Sequence, residues 1–168
     1  SYGVTTASMC VGAQSPSQTG ASETWDGTNW TEGNDLNTAR GAGGGAGITT
    51  AAIVFSGGVW NQPSIHKITE SYDGTSWTEV GDLNNSHMTN VNSLGLTQTA
   101  AICSSGYQYP TPIATAYTEE WDGSSWTEIA DLNTARYYAG GAGSVTSGLI
   151  FGGDTPGTAG FANVEHFN

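Results

Sequence analysis

The stretch WDGTNWTEGNDLNTAR at 25–40 returns as YDGTSWTEVGDLNNSH at 72–87 and as WDGSSWTEIADLNTAR at 121–136. The anchoring tryptophans Trp30, Trp77 and Trp126 are 47 and 49 residues apart. A second motif interleaves with the first. It reads GVTTASMCVGA (3–13), GITTAAIVFSGG (47–58), GLTQTAAICSSG (95–106) and GSVTSGLIFGGD (143–154). Phe55 and Phe151 are 96 residues apart, the same separation as Trp30 and Trp126, so both motifs keep one register.

Self-similarity at a period near 50 residues points to the blades of a β-propeller rather than to solenoid turns. Each unit divides into four short strands. The first is Gly/Ala-rich, for example Gly41 to Ile48, and suits a crowded inner position where backbones approach closely. The second is an apolar run ending in Gly-Gly, such as Ala51 to Phe55 before Gly57 and Gly58. The third carries Glu23-Thr24-Trp25, Glu70-Ser71-Tyr72 or Glu119-Glu120-Trp121. The fourth starts at the anchoring Trp and runs into Asp-Leu-Asn. The expectation is an all-β propeller of four-stranded antiparallel blades, with about four units at approximately 1–40, 41–87, 88–136 and 137–168. The last unit stops at the equivalent of Trp25-Asp26 and lacks its fourth strand. An open arc leaves unpaired edges, so the chain is expected to be a partial ring, completed by other chains or by further blades of a longer protein.

Composition agrees with this reading. The chain has 168 residues, with 25 Gly, six Trp, seven Tyr and four Phe, and no sustained 3.6-residue periodicity. Fifteen carboxylates face only Arg40, Lys67 and Arg136, for a formal net charge of −12. Such a surface repels phosphate backbones and anionic lipid, which argues against nucleic-acid partners; the ordinary consequence of the acidity is solubility. No apolar segment is long enough for membrane insertion as a helix, and no signal-peptide h-region is present. Cys10 and Cys103 fit neither a disulfide framework nor a metal knuckle.

The recurring residues have structural explanations. Asp26, Asp73 and Asp122 each precede Gly between the third and fourth strands. There the carboxylate binds nearby backbone N–H groups and Gly accepts a positive φ. No calcium-loop spacing surrounds these aspartates, so no metal site is read into them. Trp30, Trp77 and Trp126 read as inter-blade packing. Burying one indole removes about 150–250 Å² from water, an upper bound of roughly 4–6 kcal/mol. Arg40 and Arg136 close their units and are placed to fork onto carboxylates or carbonyls of the neighbouring blade, with His87 as a weaker or inert substitute.

An arginine, a glycine-rich strand, an apolar strand ending in Gly-Gly, an aromatic-Asp-Gly and a following Trp resemble the kelch repeat. Gly57-Gly58, Gly152-Gly153, Tyr72-Asp73 and Trp77 stand in family order. The diglycine degrades to Gly12-Ala13 in the first unit and to Ser105-Gly106 in the third. The resemblance implies a kelch-type β-propeller. More narrowly, the phrases WDGSSWTE and DLNTAR are similar to tandem kelch-like arrays in virion and tail-fibre proteins of marine bacteriophages, which implies an extracellular, virion-associated setting. The first and third signatures differ at four of sixteen positions, a closeness that suits a duplicated scaffold.

Function is expected where the units diverge, in the loops between second and third strands at Gln14 to Gly20, Val59 to Ser64, Tyr107 to Thr115 and Asp154 to Phe161. Trp60, Tyr107, Tyr109 and Phe161 have no equivalents in other units. Two readings stand: they stack on a host-surface glycan or anchor a host protein, or they fold back over their own loops or onto a neighbouring subunit. Enzyme readings are weaker. His66, His87 and His166 occupy different positions in separate units and form no i, i+2 or i, i+4 ligand pair, unlike the copper oxidase among kelch proteins. The Asp-Gly-x-x-Trp turn is similar to the sialidase Asp-box, yet two arginines fall short of a three-arginine acid clamp. The reading is therefore a non-enzymatic structural or adhesion propeller with no catalytic residue and no cofactor. Its alternatives are a secreted carbohydrate-active enzyme using a carboxylate pair and a general kelch protein-interaction module.

Overall fold

The computed structural model describes residues 2–4, 6–13, 17–41, 43–58, 67–87, 92–108, 113–155, 157, 160 and 162–168. Its regular elements are all strands. The first sheet runs in the order β1 (Tyr2–Val4), β2 (Ala7–Ala13), β3 (Thr19–Trp25), β4 (Trp30–Glu32). The second is β5 (Gly44–Ile48), β6 (Ala51–Phe55), β7 (Thr69–Tyr72), β8 (Trp77–Glu79). The third is β9 (Asn92–Thr97), β10 (Ala100–Ser104), β13 (Thr118–Trp121), β14 (Trp126–Glu128). Between β10 and β13 a small hairpin pairs β11 (Tyr107–Gln108) with β12 (Ile113–Ala114). The fourth sheet has three strands, β15 (Gly140–Ser144), β16 (Ser147–Phe151) and β17 (Val164–Phe167). All described pairings are antiparallel. The first strands lie beside one another in succession, β1 next to β5, β5 next to β9 and β9 next to β15, a β-propeller-like arrangement.

Side chains alternate across each strand, so each sheet has two faces, and consecutive sheets meet face to face. Met9, Val11 and Leu36 from the first sheet pack on Ala52, Val54, Tyr72 and Trp77 of the second. Ile53, Phe55 and Leu83 of the second pack on Ala101, Cys103, Trp121 and Trp126 of the third. Leu94, Ile102 and Leu132 of the third meet Ile150 and Phe167 of the fourth. Trp77 and Trp126 are therefore buried, as the repeat predicts, but Trp30 is 49% exposed. Its sheet is the first of the stack, and its ring meets Trp25 of the same sheet at 5.5 Å. Cys10, on the same face of that sheet, is exposed, whereas Cys103 is buried; a second-strand cysteine is buried only where another sheet lies over it.

The segment after each fourth strand locks one sheet to the next. Asn37 donates its backbone N–H (2.7 Å) and side-chain amide (2.9 Å) to Glu70 Oε2, and Thr38 N–H and the Arg40 guanidinium reach Glu70 Oε1 at 3.2 and 2.9 Å. The Asn37 amide also binds the Trp77 carbonyl. The pattern repeats 47 residues on. There Asn84 donates twice to Glu119 Oε2 and once to the Trp126 carbonyl, while Asn85 N–H binds Glu119 Oε1. It recurs a third time with Asn133, Thr134 and Arg136 on Glu165. Each arm supplies a fan of N–H donors to one carboxylate of the following sheet. A buried carboxylate is tolerated only with such compensation.

His87 takes the arginine's place in the middle arm. Its Nδ1 lies 2.7 Å from the Ser105 carbonyl and so carries the proton, because a carbonyl only accepts. Its Nε2 stands 3.6 Å from Glu119 Oε1. Burial opposes the charge on Glu119, but the nearby imidazole and the Asn84 and Asn85 donors outweigh it and hold its carboxyl below the usual range.

The bend after the second strand differs from the alignment drawn on the diglycines. Ser56 (φ 63°) and Ser105 (φ 62°) share the left-handed backbone of Gly12 (64°) and Gly152 (67°). Ser56-Gly57, rather than Gly57-Gly58, thus corresponds to Ser105-Gly106 and Gly152-Gly153. Strand pairing agrees, since Phe55 and Phe151 sit opposite Thr69 and Val164.

Candidate functional site

The recurring acids are occupied by the fold. Asp26 Oδ1 accepts the N–H groups of Thr28 and Asn29, both at 2.7 Å. Asp73 Oδ1 accepts those of Thr75 and Ser76, and Asp122 Oδ1 those of Ser124 and Ser125, all at 2.8 Å. The glycines that follow have φ near 95°, where a Cβ is disfavoured. Donation from Asn29, Ser76 and Ser125, then from Thr28, Thr75 and Ser124, holds the three carboxyls below their ordinary value, Asp122 at about 2.

A depressed folded-state pKa adds stability that is present above the unfolded value and lost as pH falls through the folded one. Stability to urea is therefore expected to be level above pH 5 and to decline on acidification, beginning near the 4.5 reference value of Glu119. For Asp122 the decline runs from its reference value of 3.8 to about 2. Asp122→Asn should flatten the lower part of that profile; a wild-type urea midpoint independent of pH between 5 and 2 would contradict the turn assignment.

Of the four divergent aromatics expected to line a binding edge, Tyr107 lies among the described residues. Trp60, Tyr109 and Phe161 lie outside them. Tyr107 is held on the β11–β12 hairpin and meets Tyr137 with ring centroids 4.1 Å apart. Tyr137 in turn meets the edge of Tyr138 at 5.1 Å. Two backbone bridges, Thr115 with Arg136 and Tyr137 with Asp154, tie this cluster between the third and fourth sheets. The Asp154 carboxylate accepts the N–H of Gly160. The hydrogen bond with Tyr137, then burial and the neighbouring phenols and Asp154, pushes the Tyr107 hydroxyl up to about 12. It stays protonated across the physiological range.

Tyr138 is 61% exposed and has a φ of 56°. A bulky side chain in the left-handed region is uncommon and persists only where its surroundings enforce it. Sequence reading passed over Tyr137-Tyr138 because they follow the repeated signature. The signal was nevertheless there: the corresponding residues after the first and second arms are Gly41-Ala42 and Met88-Thr89, neither pair aromatic.

A groove of about 460 Å³ beside β17 is lined by Glu120, Asp131, Leu132, Glu165, His166 and Phe167 among others. It occupies the place taken in the other sheets by β4, β8 and β14, and its Glu165 already receives the third arm. Of the histidines, His87 is buried in its arm, His166 is exposed on β17 and His66 lies outside the described residues. Among the described residues no group of three or more His, Cys, Asp or Glu side chains is assembled for a metal ion. No protein-family model matches the chain, and no curated protein matches it.

Proposed function

We propose that this chain is a set of kelch-type propeller blades acting as a non-enzymatic binding scaffold. It recognises a surface glycan or a surface protein through its divergent loop edge, as part of an extracellular, virion-associated fibre. The observation that carries the binding reading is the Tyr107–Tyr137–Tyr138 cluster. Aromatic rings gather there on a strained, exposed backbone, at positions the repeat does not require. Ring faces pack against the apolar C–H face of a sugar, and a phenol supplies one polar handle. The carboxylates best placed to recur as catalysts are bound instead into turns and arms. The fibre setting is supported by the wording of the repeats alone.

Screening the intact chain on a glycan array, with reducing-end release measured in parallel, tests this. Retention without turnover is expected, and Tyr138→Ala should weaken it by about tenfold, in line with the loss of one stacking aromatic. The substitution should leave the fold intact, since Tyr138 is exposed and its removal takes away no core contact. Reducing-end release would replace this reading with the carbohydrate-active one. Glycan binding unmoved by Tyr138→Ala and Tyr107→Ala would remove the cluster from it.

A further inference from the structure

We infer that the outer face of the first sheet, bearing Glu23 and Trp30, is a docking surface for a further sheet of the same repeat, received through a Leu-Asn-Thr-Ala-Arg arm. Three arms inside the chain supply the template. In register, Glu23 opposite Glu32 and Trp25 opposite Trp30 match Glu70 opposite Glu79 with Tyr72 opposite Trp77, and Glu119 opposite Glu128 with Trp121 opposite Trp126. Glu70 and Glu119 are completely buried under an arm, and Trp77 and Trp126 are 5% and 6% exposed. Glu23 is exposed and Trp30 is 49% exposed. Among the described residues no arm reaches Glu23.

The chemistry of the face selects its occupant. A purely apolar partner would cover the indoles but strand the Glu23 carboxylate without a donor, which costs binding. A simple basic peptide would neutralise Glu23 and leave the indoles in water. An arm does both. Its leucine covers the tryptophan as Leu36 does Trp77 and Leu83 does Trp126, while its Asn and Arg fan onto the carboxylate as Asn37 and Arg40 do on Glu70. Charge points the same way. In a chain of net charge −12, two of the three basic side chains, Arg40 and Arg136, each end such an arm. This inference rests on the packing between sheets and stands whether or not the tyrosine edge binds a ligand.

The test uses the intact, ¹⁵N-labelled chain and a synthetic decapeptide with the sequence of residues 127–136. A saturable shift of the Trp30 indole N–H resonance is expected at millimolar peptide, the affinity of a few kcal/mol of contact. The apparent Kd should rise about tenfold with Glu23→Gln, or with a peptide whose arginine is replaced by alanine, as loss of a charge-assisted hydrogen bond requires. Glu23 is exposed, so the variant keeps the fold. Absence of a shift at about 5 mM peptide, or equal shifts with and without the Glu23 charge, overturns the inference. So does concentration-dependent dimerisation of the chain alone that survives Glu23→Gln and disappears with Phe151→Ser. That result would seat the exposed β16 face of a second copy there.

Discussion

Replacing Glu70 by alanine is expected to destabilise the chain by about 3–5 kcal/mol, the range for breaking a buried charge pair by removing one partner. The loss leaves the Arg40 guanidinium, 1% exposed, without its carboxylate at 2.9 Å, and strips the acceptor from Asn37 N–H and from the Asn37 amide. For a chain of this size each kcal/mol corresponds to roughly 2–4 °C, so the thermal midpoint should fall by about 6–20 °C. The same substitution at Glu23, which has the same place in its own sheet, should change stability by no more than about 0.5 kcal/mol, because the residue is exposed. Circular dichroism melts of the two variants side by side decide the matter. Equal effects would mean that the carboxylate acts within its own sheet rather than between sheets.

The tryptophans offer the second contrast. Trp126→Ala is expected to cost about 3–5 kcal/mol, the range for truncating a buried large aromatic. Trp126 packs against Phe55 of the preceding sheet with ring centroids 4.8 Å apart, and its indole N–H donates to Thr69 Oγ1 at 3.0 Å across the same interface. Trp30→Ala removes a ring stacked on Trp25 at 5.5 Å but half open to water. Its cost should be about 1–2 kcal/mol, the value of partial apolar burial. Urea unfolding followed by fluorescence gives both numbers. Comparable losses would show that the indole stabilises its own hairpin and not the neighbour.

These contrasts also mark how far the residues could be read without coordinates. The Asp-Gly turns were fully legible, because the carboxylate, the positive φ and the two N–H donors all lie within four residues. Strand positions followed from short apolar runs and from the turns between them. The arms were half legible. Arg40 and Arg136 were expected to bind carboxylates or carbonyls of the next sheet, and they bind both: Arg40 reaches Glu70 and the Val54 carbonyl, and Arg136 reaches Glu165 with the carbonyls of Gly152 and Asn163. That Asn37, Asn84 and Asn133 do most of the donating was not foreseen, since an Asn after Leu near a strand end reads locally as a turn residue.

Exposure of Trp30 was illegible for a different reason. Burial of a repeated residue depends on whether another sheet lies over it, which no local pattern encodes. The loop edge was legible as a place but not as a constellation. Divergence between units pointed to Tyr107, yet Tyr137 and Tyr138 come from the following sheet's lead-in, and the β11–β12 hairpin that carries Tyr107 to them has no counterpart among the described residues of the other units. Long-range pairing of unrepeated segments has no periodic signal to betray it.

Amide hydrogen exchange at Asn37, Asn84 and Asn133 tests the stack most directly. All three lie outside strands and are exposed, yet each donates its backbone N–H to a glutamate of the next sheet at 2.6–2.7 Å. Slow exchange is predicted at all three, comparable to strand interiors and lost selectively at Asn37 in Glu70→Ala. Exchange at the rate of an unprotected loop would mean that the recurring arms do not fasten one sheet to the next.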